Sequence, residues 1–294
     1  MATTSDLDPK AVRRQFARRA GSLHRADFLL REAERRLLER LEIVRLQPTA
    51  ILDVGCGLGH GLAALAQRYP QASVRGCDLA WQVAAQARRA LAPQARGLLA
   101  RLRRGAAQPV ASVFAADAQA LPLAASSVDL IWSNLAYHWF ADPLRAIEEW
   151  HRVIRPDGLL SFTALGVDSL LELRTAGARM MAFPDMHDIG DLLVGAGFAE
   201  PVMDVERITL TYRDAPALLA DARALGGNAL AGRFRGLLGR GHQREWLAAL
   251  ERGRGPDGSL RLSVELIFGH AWCPAKKRLP GGLARVEFMP KRRH

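Results

Sequence analysis

Residues 51–59 read Ile-Leu-Asp-Val-Gly-Cys-Gly-Leu-Gly: an apolar run breaks into glycine at every second position, then gives way to a helical pattern. No other stretch restricts the fold so tightly. A buried strand has to end near Val54, turn through Gly55, Gly57 and Gly59, and open a helix whose first amides are free. Glycine tolerates the positive φ of such a turn and lets a ligand approach the backbone. A GxGxxG dinucleotide fingerprint counted from Gly55 would need a third glycine at position 60, which is His60, so that form of the loop is broken.

The elements around the loop alternate. Strand candidates are Ala50–Val54, Ser73–Cys77, Val110–Phe114, Val128–Ser133 and Leu159–Thr163, with helical stretches near 60–69, 80–92 and 142–152. This predicts an α/β fold, a parallel sheet covered by helices on both faces. Residues 10–46 read as helix, with Val12, Phe16, Ala20 and Leu23 on one face, and Pro48 closes the segment. The basic stretch 93–109 is long for a connection and reads as an insertion. Beyond residue 164, helices are expected near 169–181, 187–196, 214–225 (closed by Gly226-Gly227) and 244–251, with strands at 205–212 and 260–268. The tail from Lys291 to His294 reads as solvated and frayed.

Composition removes other classes. With 49% hydrophobic and 24% charged residues the chain is globular rather than disordered or fibrous. No apolar run reaches membrane-spanning length, and the first residues have no apolar signal core. Cys56, Cys77 and Cys273 form no CxxC pair, which argues against a disulfide framework or a zinc site and fits a cytoplasmic location without metal. The net charge of +11 fits either compositional bias or an acidic partner. The arginines are spread along the chain rather than gathered in a stripe, which disfavours nucleic acid.

The run Asp53-Val-Gly55-Cys-Gly57-Leu-Gly59 matches the D-x-G-x-G-x-G pattern of loops that bind S-adenosylmethionine, a cofactor without phosphate. Asp53 is expected to hold the loop through backbone amides. Asp78, followed by Leu79, ends the second strand, where a carboxylate accepts ribose hydroxyls. Asp117, followed by Ala118, either accepts from the adenine amino group or caps a turn. After the fourth strand, Asn134 is a candidate for the methionine portion. Tyr137, His138 and Trp139 either face the substrate, with aromatic faces near a sulfonium, or serve packing and surface roles. Cys56 reads as a small packed residue, and His187 between Asp185 and Asp188 as part of a helix start rather than a metal site.

These residues, with Arg152-Val-Ile-Arg-Pro-Asp-Gly158, resemble the class I S-adenosylmethionine-dependent methyltransferases over about residues 48–165. A narrower resemblance covers nearly the whole chain. Phe16-Ala-Arg-Arg-Ala20, Ser133-Asn-Leu-Ala136 with Trp139, Asp185-Met-His-Asp188, Ala224-Leu-Gly-Gly-Asn228 and Gly269-His-Ala-Trp272 are similar to the BioC family of malonyl-[acyl-carrier protein] O-methyltransferases. The resemblance implies a Rossmann-like, seven-stranded, mostly parallel sheet with an antiparallel last hairpin. Residues 1–47 would form an N-terminal helical lid, 48–165 the cofactor core, and 166–294 the substrate-side helices and late strands.

It further implies cofactor contacts from Asp53, Gly55, Cys56, Gly57, Gly59, Asp78, Leu79, Asp117, Ala118 and Asn134, and S-adenosylhomocysteine as product. The partner would be malonyl-acyl carrier protein or malonyl-coenzyme A, methylated by positioning rather than by a general base. Arg18, Arg174, Arg179 and Arg207 are candidates to orient the malonyl carboxylate, and Arg96–Arg104 to dock an acidic carrier. Another acceptor, or a non-methylating assembly role, stays open because the sequence departs from the family at one point. The lid tyrosine expected near position 23 is Leu23, beside His24.

Overall fold

All five residues of β1 (Ala50–Val54) are buried, as a strand covered on both faces requires. In the computed structural model it pairs in parallel with β2 (Ser73–Asp78) on one side and β4 (Val128–Ser133) on the other. Outward from these lie β3 (Ser112–Ala115), parallel to β2, and β5 (Ile154–Leu165), parallel to β4. β7 (Leu260–Trp272) runs antiparallel to β5, and β6 (Ala199–Tyr212) antiparallel to β7. The seven-stranded order is β3-β2-β1-β4-β5-β7-β6. The order reverses between β1 and β4, which opens a crevice at the carboxyl ends of those strands.

Residues 7–92, 111–224, 229–232 and 240–275 are described. The expected insertion at 93–109, the Arg96–Arg104 edge, Val110, the Gly226-Gly227 cap and the tail from Lys291 lie outside them.

The alternation of side chains along the strands sorts the core into two layers. Ile51, Leu130, Trp132 and Leu159 face α2 (Asp27–Arg40) and α3 (His60–Arg68), whose Leu37, Leu62 and Leu65 are fully buried. Leu52, Val54, Ile131 and Leu160 face α5 (Pro143–Val153) and α7 (Met186–Gly195), through Ile147, Trp150 and Leu193. α4 (Trp81–Leu91) joins the first layer through Ala87.

The single helix expected over 10–46 is two. α1 (Pro9–Arg19) starts at an Asp8 cap, whose carboxylate accepts the Lys10 N–H. A 3-10 segment, Ala20–Ala26, separates it from α2. Gly21, a poor helix former, sits there, and the tighter turn drops Ala20 and Leu23 onto Ala80 and Val83. α2 buries Leu29, Ala33 and Leu37 at a spacing of four. Its outer side is tied to β6 by Arg36–Glu206 and by Arg40 with Asp204 and Glu206. The Arg40 guanidinium also stacks 3.7 Å above the Phe268 ring of β7.

Other boundaries moved. The helix expected at 169–181 is only Leu171–Thr175 (α6), because Gly177 adopts φ +92° just beyond it. α8 (Ala215–Ala224) falls where expected, and α9 (Arg240–Glu251) starts earlier than residue 244. β6 and β7 outrun their sequence estimates because each pairs with the other over their whole length.

Gly76 in β2 lies under the glycine loop. A Cβ there would stand 2.7 Å from Leu62 Cδ1 and 3.0 Å from both Cβ and Sγ of Cys56. Gly76→Ala is therefore expected to cost about 1–3 kcal/mol in urea unfolding, as overpacking does, and to weaken cofactor binding by lifting Cys56. Gly21→Ala, with nothing within 4 Å of its new Cβ, is the control and should be close to neutral.

Candidate active site

The loop after β1 turns directly over the end of β2. The Gly55 and Cys56 amides both donate to the Cys77 carbonyl, at 2.8 and 3.0 Å, and Gly59 N–H donates to the Cys56 carbonyl. Gly55, Gly57 and Gly59 take φ of +76°, +52° and +84°, which only glycine adopts cheaply. A Cβ on Gly55 would lie 2.4 Å from that of Ala136, so the loop backbone is pressed against the segment that follows β4. A cavity opens above it, lined by this loop, the ends of β2 and β4, and the first two helices.

Asp78 stands at the floor of that cavity. Its Oδ1 accepts the Ala80 N–H at 2.9 Å and its Oδ2 the Gly57 N–H at 3.3 Å. Burial pushes its carboxyl up to about 6, against the pull of those two amides. Asp117 caps a turn, the second of the roles expected for it. Its Oδ1 closes a turn onto the Gln119 amide at 2.9 Å, while the residue lines the cavity, as Leu79 and Ala118 do. Cys56 is buried, and burial among Asp53 and Asp78 raises its thiol well above the ordinary range, so it packs rather than attacks.

Asp53 does not hold the loop as expected. The Gly55, Cys56, Gly57 and Gly59 amides go to Cys77, Asp78 and Cys56 instead. The Asp53 carboxyl turns toward Gly61, with the Glu34 carboxyl of α2 beside it. Burial, together with Glu34 and Asp78, raises it well above the carboxylate range. Asn134 lines the cavity, but its amide also works as a clamp. Nδ2 donates to the Leu30 carbonyl of α2 at 2.8 Å, and Oδ1 accepts from Thr163 of β5 at 2.7 Å. One N–H of that amide is left for a ligand.

The three residues after β4 part company. Tyr137 does not face the cavity; it is 1% exposed, packed among Phe140, Trp150 and Phe162. This corrects the substrate-facing expectation, and the reason is the 3-10 turn at Tyr137–Trp139, which sends its first side chain into the core. Trp139 does line the cavity, edge-on to Phe16 of α1 at 5.2 Å. His138 lines it too and is buried, not a surface residue. Its Nδ1 accepts the Leu165 N–H at 3.3 Å, and burial pushes the imidazole down to about 3. The ring is therefore neutral, with its proton assigned to Nε2.

The arginines expected to orient a carboxylate do not reach the cavity. Arg207 pairs with Asp168 at 2.6 Å and Glu265 at 3.4 Å on β6, and Arg174 donates to the Val167 carbonyl. Arg179 is also engaged, and Arg18 is exposed on α1. Among the described residues, no arginine lines the cavity. In the 3-10 segment, Leu23 fills the expected tyrosine position as an apolar cavity wall, and His24 is exposed. Asp185 caps α7 by accepting the His187 N–H at 2.7 Å, as a helix start should. Glu34, Asp27 and His60 also line the cavity, and the sequence did not point to them. Alternating Glu and Arg on an amphipathic helix look like a solvated face, and no spacing marks Glu34 from its neighbours.

The Asp78 environment sets a pH dependence. Burial raises its folded-state pKa, so the carboxylate is fully present above about pH 7 and is lost as pH falls through about 6. S-adenosylmethionine affinity, measured by calorimetry, is expected to fall as pH drops through about 6. Asp78→Asn should bind at least tenfold more weakly at pH 7.5 and show a shallower acid limb, since a lost hydrogen bond to a charged group costs roughly 1.5–3 kcal/mol.

Residues 52–162 match a family described as a methyltransferase domain. The chain is 46% identical to the malonyl-[acyl-carrier protein] O-methyltransferase of a Methylovorus species, covering 97% of this chain and 96% of that one. Among solved structures it resembles the YcgJ protein of Bacillus subtilis, with TM-score 0.57 and 15% identity over 84% of this chain and all of that one. It also resembles an N-methyltransferase of Haemonchus contortus solved with S-adenosylhomocysteine, with TM-score 0.51 and 16% identity over 83% of this chain and 53% of that one. The structural likenesses establish the Rossmann-like methyltransferase fold, and the near-full-length identity goes further: the chain belongs to the malonyl-[acyl-carrier protein] O-methyltransferase family.

Proposed function

We propose that this protein transfers the methyl group of S-adenosylmethionine to the free carboxylate of a malonyl thioester carried by acyl carrier protein. The methyl ester so formed serves as a primer for the pimeloyl chain of biotin. The observation that carries this reading is identity over the whole chain, lid and late strands included, rather than over the cofactor core alone. In this reading residues 1–47 are the lid, 48–165 the cofactor core and 166–294 the substrate side of the same unit. The three cysteines are all buried and unpaired, which fits a reducing cytoplasm. Among the described residues, no helix is long and apolar enough to cross a membrane.

The residues present fit the cofactor. Gly55, Cys56 and Gly57 line the cavity with loop backbone that the methionine portion can approach, and Asp78 keeps lone pairs free for the ribose hydroxyls. Asp117 offers its second oxygen to the adenine amino group, and the remaining Asn134 N–H points to the methionine side. Leu79, Ala118, Cys56 and Leu23 supply apolar walls. The sulfonium supplies an already activated methyl group.

A malonyl carboxylate has an ordinary pKa of roughly 3–4 and is ionised at neutral pH, so no residue is needed as a base. The protein's task is alignment and exclusion of water, which together supply on the order of 7–11 kcal/mol in favourable cases. His138 donates its Nε2–H to the acceptor, and the Phe16–Trp139 pair closes the wall beside it. Because the imidazole stays neutral down to about pH 3, it donates without titrating in the working range.

The test is methyl transfer with labelled S-adenosylmethionine and malonyl-acyl carrier protein, malonyl-coenzyme A in parallel, read by product mass. A gain of one methyl on the malonyl group is expected; intact cofactor binding with no transfer to either thioester would overturn the reading. His138→Leu is expected to lower kcat/KM about ten- to a hundredfold through the lost hydrogen bond, with cofactor affinity unchanged.

A further inference from the structure

One group in the cavity wall has no role in the reaction as proposed. Glu34 comes from α2, on the lid side, and reaches the same point as Asp53 from the sheet. The position a Cβ on Gly61 would occupy is 3.0 Å from Asp53 Oδ2, 3.4 Å from Glu34 Oε2 and 3.2 Å from Trp132 Nε1. Glycine at 61 is what leaves space for these three groups to converge. Asp53 is 3% exposed, and among the described residues no hydrogen-bond donor is paired with either carboxyl. The Trp132 N–H is fully buried and without an acceptor. Two facing carboxyls with no cation between them are costly in a low-dielectric wall, and burial duly pushes Glu34 up to about 7.

The charges nearby do not fill the gap. Arg31 draws Glu34 down through space, but its guanidinium is bonded to Asp27 at 2.7 Å, and His60 lies 3.4 Å from that same Asp27 carboxylate. Asp78, the next charged group, is a third acid. The cleft therefore calls for a compact cation with several N–H donors. An ammonium has three and a sulfonium has none. Asn134 and Gly55, at the amino-acid end of the expected cofactor, line the same cavity.

We propose that Glu34 and Asp53 together seat the α-ammonium of the cofactor's amino-acid portion, making the lid helix α2 part of the cofactor site. This rests on the reading that the cavity takes S-adenosylmethionine. The ammonium shares its N–H donors between the two carboxylates and holds both ionised. The sulfonium, two methylenes from the carbon that bears the ammonium, is left outside the pair of carboxylates. Held between two carboxylates, its methyl would sit beside competing nucleophiles.

Calorimetric binding of three ligands separates the possibilities. S-adenosylmethionine carries both cations, S-adenosylhomocysteine keeps only the ammonium, and 5′-methylthioadenosine has neither. Glu34→Gln is expected to weaken the first two about ten- to a hundredfold, as loss of a charge-assisted hydrogen bond does, and to leave the third within twofold. Equal weakening of all three would reduce Glu34 to a structural role. Weakening of S-adenosylmethionine alone would place the sulfonium there, and no weakening would remove the seat; each overturns the proposal. Gly61→Ala guards against a folding artefact, because alanine favours the helix while its Cβ intrudes on the cleft, and the same ligand pattern is expected. The experiment involves no turnover. A wild-type protein that binds all three ligands but methylates no malonyl thioester would sink the proposed reaction and leave this inference standing; one that fails to bind S-adenosylmethionine would sink the inference.

Discussion

The Cys77 carbonyl, at the end of β2, accepts two amides from the loop that follows β1. That pair of bonds fixes where the loop crosses the sheet, and the rest of the site is referenced to it. With the loop pinned, Gly57 N–H reaches Asp78, Gly55 lies against Ala136, and the helix from His60 starts with its axis already set. The bond pair depends in turn on Gly76, one residue earlier, whose missing side chain gives Cys56 and Leu62 their room. A backbone carbonyl, a glycine and a small thiol thus decide the geometry, and the carboxylates inherit it.

The N-terminal helices depend on the same frame from the other side. α2 is clamped on two sides: Asn134 bonds to its Leu30 carbonyl, and on the outer side Arg36 and Arg40 pair with Glu206 and Asp204 on β6. Exposed ion pairs of this kind are worth little singly, but Arg40 also covers the Phe268 ring, so it adds buried apolar contact. The result is a helix held firmly enough to present Glu34 at a fixed place. α1 is joined through Phe16 on Trp139, the Asp8 N–H bonded to the Ala229 carbonyl and the Arg19 guanidinium bonded to the Arg223 carbonyl.

Much of this was legible in the sequence because it rests on local rules. The glycine spacing, the β-α alternation and Asp78 at the end of its strand are short-range patterns, and β1 and β4 fall on the residues the patterns indicate. What escaped depends on partners far away in the chain. Tyr137 and Trp139 are two residues apart in one aromatic run, yet one is core and the other cavity wall, because a 3-10 turn rotates them apart. Asp53 looked like a loop anchor until the Cys77 carbonyl took the amides. Glu34 looked like one of many solvated acids on an amphipathic helix, since only the tertiary fold lays it beside Asp53.

The absence of arginine from the cavity wall among the described residues has a physical sense. A malonyl carboxylate approaching a sulfonium already meets a cation, and at about 4 Å with an effective dielectric of about 20 that attraction is worth about 4 kcal/mol. An arginine at the reacting end would compete for the nucleophilic oxygen and repel the sulfonium at once. A neutral donor does neither, and burial keeps His138 neutral. Asp53, Asp78, Glu34 and Asp117 meanwhile line the same cavity. A chain that is strongly basic overall thus lines its cavity with acids and, among the described residues, with no lysine or arginine.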